Sequence, residues 1–218
     1  MTSKTVPISD SIKRGWGIYK ENVFLLIAVF VIATIVYAII ERAETMGERL
    51  PWPVEMLIAV GYLIAFAIVE IGIINVTLKF IDDGKAEFEH LVSEIPVLIK
   101  FVVALLLYGL MVGVGLLVLV FPGIYLAIKF GFFGYCVVDD KLEPLDALRA
   151  SSKLTDGVKL DLFLFYLFLI LIFVLGFLCF LVGVYVSWPV TRLAVADVYR
   201  HLRGQVEGPA GGEAAAAG

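Results

Sequence analysis

Long apolar runs alternate with short charged segments along nearly the whole chain, and the runs carry the period of helices that cross a bilayer. A hydrocarbon core of about 30 Å needs about 20 apolar residues per helix. The first run, Val23 to Ile40, closes at Glu41-Arg42. The second follows Pro51-Trp52-Pro53 and is interrupted only by Glu70 and Asn75 up to Leu78. The third, Phe101 to Phe121, is uncharged and meets Pro122-Gly123, a breaker beside a turn former. The fourth holds Lys129 and stops at Asp139-Asp140. Residues 162–191 carry no charge at all, which as one helix would be about 45 Å, too long for one span. Gly183 and Trp188-Pro189 offer the division. The pattern therefore predicts an all-α polytopic membrane protein, one transmembrane domain over residues 1–203. Its six spans fall near 22–41, 54–80, 100–121, 123–138, 161–182 and 187–203. The sixth has the shortest apolar core, and a five-span alternative lays residues 190–203 on the membrane surface. The Gly- and Ala-rich tail, 204–218, reads as disordered and cytoplasmic.

Basic residues set orientation, because Lys and Arg are retained on the cytoplasmic side. One side would carry Lys4, Lys13, Arg14, Lys20, Lys79, Lys85, Lys100, Lys141, Arg149, Lys153, Lys159, Arg200 and Arg203; the other only Arg42 and Arg49. Both termini are thus expected in the cytoplasm, which requires an even number of spans.

The polar segments between spans share a pattern. Trp16 with Ile8 and Ile12, then Phe88 with Leu91, then Leu145 with Leu148, mark apolar stripes among charges. These predict short amphipathic helices at the membrane interface or packed on the bundle. The second and third segments also align at an offset of 57: Asp82-Asp83 on Asp139-Asp140, Phe88 on Leu145, Glu89 on Asp146, Leu91 on Leu148. Three repeated units, each a surface helix followed by a helical hairpin, are the expected organisation.

Composition sharpens what the pattern excludes. At 61% hydrophobic, 17% charged and a mean hydropathy of +0.99, the chain is too apolar for a water-soluble domain. A net charge of −4 argues against nucleic-acid binding. Cys136 and Cys179 lie in apolar runs and read as small buried hydrophobes. The two histidines, His90 and His201, fall at or outside the interface, and no nucleophile–base pair, metal-ligand spacing or phosphate loop is visible. No catalytic residue, metal or cofactor is expected. Asp82-Asp83 and Asp139-Asp140 read as solvated markers of the span ends.

What remains is a polar set inside the spans: Glu70, Asn75, Lys129, Arg192 and Asp197. Ionisable groups at the bilayer centre are costly and turn toward the bundle or a partner. Counted from the span ends, Glu70 and Lys129 sit at similar depth, and Arg192 can reach the same layer. Glu70 is therefore expected to pair with Lys129 or Arg192, either as part of a substrate or proton path or as one structural ion pair. Gly109-xxx-Gly113 in the third run suits close helix packing.

The start Ser11-Ile-Lys-Arg-Gly-Trp, the turn Phe121-Pro-Gly-Ile-Tyr-Leu-Ala-Ile-Lys, and the segment Val-Val-Asp-Asp with Pro144-Leu-Asp-Ala-Leu-Arg-Ala-Ser together resemble the bacterial integral-membrane proteins of YciC type. They are also similar to the membrane domain attached to some glycerophosphodiester phosphodiesterases. The resemblance implies a six-helix inner-membrane protein and brings no catalytic residues, since the phosphodiesterase's catalytic domain is absent from this chain. Lys129 stands where Arg is as frequent in the family. The function expected is non-catalytic, in envelope or membrane-lipid processes or as a membrane partner protein. Its partners would be membrane lipid, a cytoplasmic-side protein or a second copy of the chain. The alternative is a small-solute or ion transporter using the buried charges.

Overall fold

A computed structural model describes residues 4–47, 51–178 and 183–207, without the side chains of 40, 41 and 43–47. Cys179, Arg49 and residues 208–218 lie outside the described residues. The described residues form helices and connecting turns: α1 (Ile8–Glu21), α2 (Val23–Gly47), α3 (Trp52–Asp83), α4 (Leu98–Val118), α5 (Val120–Lys129), α6 (Phe133–Asp140), α7 (Pro144–Leu154), α8 (Lys159–Leu178) and α9 (Val184–Glu207).

Local sequence sets the breaks. The α1 helix ends where Asn22 turns its amide back onto the Ile18 carbonyl, and α2 leaves at 97°. Pro51 and Pro53 open α3 where the missing N–H costs nothing, and Gly84, at φ 68°, closes it in the left-handed conformation that glycine adopts without strain. The break between α4 and α5 falls at Leu119, in extended backbone, and not at Pro122-Gly123 as the sequence predicts. Pro122 is tolerated because it lies in the first turn of α5, where its N–H would have no partner in the helix. Gly123 makes the hairpin tight: a Cβ there would stand 2.4 Å from the Leu116 side chain. The α8–α9 hairpin closes similarly, with a Gly183 Cβ falling 2.3 Å from the Gly176 carbonyl oxygen. By contrast, nothing lies within 4 Å of a Cβ at Gly109 or Gly113, so the expected packing role of that pair is not realised within the chain.

Among the described residues, four helical segments are long and apolar enough to cross a membrane: Trp52–Asp83, Phe88–Val118, Val120–Asp140 and Lys159–Leu178. The bent pair of α1 and α2 makes five if it is counted as one span. The sixth expected span, α9, does not qualify by apolarity. It is nonetheless the centre of the molecule, packing against α1, α2, α3, α7 and α8. Leu193, Ala194, Ala196, Val198, Tyr199 and Leu202 on it are fully buried. A helix packed by other helices over most of its length can carry charges that a lipid-facing helix cannot. The large exposed apolar side chains belong mostly to the surrounding helices, such as Phe24 on α2, Leu57 on α3, Leu117 on α4 and Leu160 on α8.

The expected surface helices are realised unevenly. In α1 the face that packs is Ser11, Gly15 and Tyr19, small residues first, because a Gly15 Cβ would come within 3.0 Å of the Val190 carbonyl oxygen. Trp16 lies on the open side, 45% exposed, with Lys20 over its ring. Residues 88–97 form two 3₁₀ turns, Phe88–Leu91 and Ile95–Val97, rather than one amphipathic helix. In α7, Leu148 is buried and Leu145 is exposed.

Candidate functional site

Charge inside the bundle is arranged along α9. Its first layer is Arg192, whose guanidinium donates in parallel to both oxygens of Glu70 on α3, Nη1 to Oε2 at 2.9 Å and Nη2 to Oε1 at 2.8 Å. Tyr37 on α2 donates to the same carboxylate at 3.4 Å, and the Trp188 ring lies 5.3 Å from the guanidinium carbon. The fork geometry of Arg suits such a paired carboxylate. About 7 Å further along α9 by helical rise, Asp197 accepts from the Ser11 hydroxyl at 2.6 Å and from Arg14 at 2.9 Å. Arg14 also donates to the Ile81 carbonyl, so one arginine ties α1 to both α3 and α9.

The third layer escapes the sequence reading. Arg200 donates through Nε to Asp82 at 2.8 Å and through Nη2 to Asp139 at 2.9 Å. Arg203 pairs with Asp139, with Asp140 at 2.6 Å and with Glu207 at 2.8 Å, while the Tyr199 hydroxyl donates to Asp139 at 3.0 Å. Asp82, Asp139 and Asp140 are thus not merely solvated span ends. Two of them, aligned at the offset of 57, meet at one guanidinium. The available signal was that alignment together with two arginines at a helical spacing of three.

The five in-span polar residues do not form one cluster. Glu70 and Arg192 pair, as one of the two expected arrangements has it. Lys129 does not join them: its ammonium lies 5.1 Å from the Phe130 ring centre. Its backbone carries the contacts instead. The Lys129 carbonyl accepts from the hydroxyls of Ser151 and Thr155, and Ser151 Oγ accepts the Phe132 N–H at 3.1 Å. Two hydroxyls of the α7 region thereby satisfy the polar groups freed where the helix breaks between α5 and α6, as non-helical backbone inside a bundle requires. Asn75 acts in the same way, donating to the His90 carbonyl and to Ser93 Oγ, both at 2.8 Å, and so pins the 3₁₀ segment to α3. Gly72 admits that segment, since a Cβ there would lie 2.4 Å from the Leu91 carbonyl oxygen. Cys136 is a buried free thiol. Among the described residues no three His, Cys, Asp or Glu side chains converge as a metal site. In the exposed link between α7 and α8, a hydrogen bond from Lys159 holds the Asp156 carboxyl below its ordinary range.

Two grooves open beside the first layer. One, of about 510 Å³, runs between α5 and α8 and is lined by Ile124, Ile128, Phe163 and Leu167. The other, of about 390 Å³, reaches Tyr135, Thr191 and Arg192. Gly131, Tyr166 and Ile170 line both.

Several long apolar helices around a charged central one define a helical multi-pass membrane protein. Beyond that class, comparison of the chain with protein-family models, curated proteins and solved structures gives no match.

Proposed function

We propose that the chain is a non-catalytic bacterial inner-membrane protein acting in envelope or membrane-lipid processes, with six crossings and both termini cytoplasmic. The observation that carries this reading is the closure of the Glu70 carboxylate by protein groups. Glu70 is held by Arg192 and Tyr37, and its side chain is only 13% exposed. A transport path would instead leave such charges facing water. The adjoining grooves are lined mainly by apolar side chains, which suits lipid rather than a hydrated solute. The sixth crossing is supported by the length of α9 and by its packing against α8, with its charges turned to protein partners. The cytoplasmic placement of both termini rests on the basic-residue bias. A threefold repeat is supported by the convergence of Asp82 and Asp139 on Arg200, and by Asp83, Asp140 and Asp197 recurring at intervals of 57. The resemblance to YciC-type proteins points the same way.

The test is twofold. Protein reconstituted in vesicles with an entrapped pH-sensitive dye should pass no more protons or ions than empty vesicles do. Cells lacking the protein should show an altered membrane-lipid profile by mass spectrometry, restored by the wild-type gene. Protein-dependent flux abolished by Glu70→Gln would replace this reading with the transporter.

A further inference from the structure

We infer that the two adjoining grooves between α5, α8 and α9 together form one binding site for a long-chain fatty acid, its carboxylate at Arg192 and Tyr166 and its chain between α5 and α8. The inference rests on the lipid-related reading above and gives it a ligand.

The site is amphipathic in the way such a ligand requires. Its larger lobe is walled by aliphatic and aromatic side chains of α5 and α8. Its smaller lobe presents Arg192, which commits two of its five N–H donors to Glu70. The remaining N–H donors suit a strong hydrogen-bond acceptor such as a carboxylate. Tyr166 stands where the lobes meet, and among the described residues its hydroxyl has no hydrogen-bond partner. That hydroxyl is free to donate to an acceptor bound in the groove. Gly131 lets the Tyr166 hydroxyl lie against the backbone at the boundary of the lobes: a Cβ there would lie 3.3 Å from the Tyr166 oxygen and 3.0 Å from the Ala127 carbonyl oxygen. A concave, largely apolar site with a few convergent polar groups is the usual form of a small-molecule site. One apolar lobe beside one arginine matches a single chain with a single anionic head better than it matches a diacyl lipid.

The experiment uses the full chain in phosphatidylcholine vesicles with a palmitic acid carrying a mid-chain diazirine, and with its methyl ester. After photolysis, peptide mass spectrometry locates the label. The expected result is insertion concentrated in residues 124–131 and 163–170, competed by excess palmitate, and at least about threefold weaker for the ester. Tyr166→Phe, which preserves the ring, should lower that labelling by about two- to tenfold, the range of one hydrogen bond. Gly131→Leu should abolish it while labelling of α2 persists. Label spread evenly over α2, α4 and α8, or indifferent to palmitate, would overturn the site. Equal labelling by acid and ester would overturn the carboxylate assignment. Because binding is read on isolated protein, an unlabelled groove removes the ligand and leaves the cellular role to the lipid-profile test.

Discussion

At Glu70 and Arg192 the structure trades desolvation for a fork-to-fork pair. Removing one member leaves the other buried without its partner, which in protein interiors costs about 3–5 kcal/mol. Arg192 retains a third of its side-chain exposure, so the measured loss should fall toward about 1–3 kcal/mol. Glu70→Gln and Arg192→Met should each lower the thermal midpoint in detergent, and the double variant should recover much of the loss. Lys129→Met combined with Glu70→Gln should instead be additive, because Lys129 lies against Phe130. Additivity in the Arg192 cycle would show that the two groups do not touch. Ser151→Ala strips the partner from the Phe132 N–H, while the Lys129 carbonyl keeps Thr155, and should cost about 1–3 kcal/mol, read as a lower midpoint.

At the scale of elements, the lipid-facing helices were legible and the polar devices were less so. Apolar run length locates α2, α3, α4 and α8 because these helices meet lipid along much of their surface, and lipid tolerates only apolar side chains there. The same rule under-reads α9, whose charges answer to neighbouring helices. It also misses the two 3₁₀ turns at 88–97, which Asn75 and Gly72 fix from a helix distant in sequence. Among the site residues, depth set Lys129 level with Glu70 and left Arg192 as the alternative partner, and the pair that forms is Glu70 with Arg192. The convergence of Asp82, Asp139 and Asp140 on Arg200 and Arg203 was not readable, since it depends on how three helix ends meet. Glycine roles show the same division. Gly109-xxx-Gly113 has the familiar spacing and no close neighbour, whereas Gly123 and Gly183 lack that spacing and make the tight hairpin contacts. Gly183→Ala should therefore lower stability by about 1–3 kcal/mol through overpacking. Gly113→Ala should be neutral or gain about 0.5–1 kcal/mol. Thermal unfolding of the two variants side by side checks this.

For the whole molecule, the organising feature is a polar helix at the centre of an apolar bundle. The charged layers of α9 link it to α1, α3 and α6, so elements from the start, middle and end of the chain share one core. Such long-range closure predicts cooperative loss of structure when α1 is detached: removal of residues 1–21 should expose Asp197 and lower the thermal midpoint by more than any single charge substitution. The contact between α1 and α9 can be tested covalently. A Cβ at Gly15 would stand 3.4 Å from the Leu193 Cβ, close to the mean Cβ separation of about 3.8 Å in disulfides. In a variant with Cys136 and Cys179 replaced by Ala, the pair Gly15→Cys and Leu193→Cys should oxidise in native membranes to an intramolecular disulfide, the Val190 carbonyl giving way by a few tenths of an ångström to admit the new Cβ. The control pair, Gly17→Cys with Leu193→Cys, should stay reduced, since nothing lies within 4 Å of a Cβ at Gly17. A Gly15–Leu193 pair that stays reduced while both thiols react with a small alkylating reagent would contradict the central placement of α9.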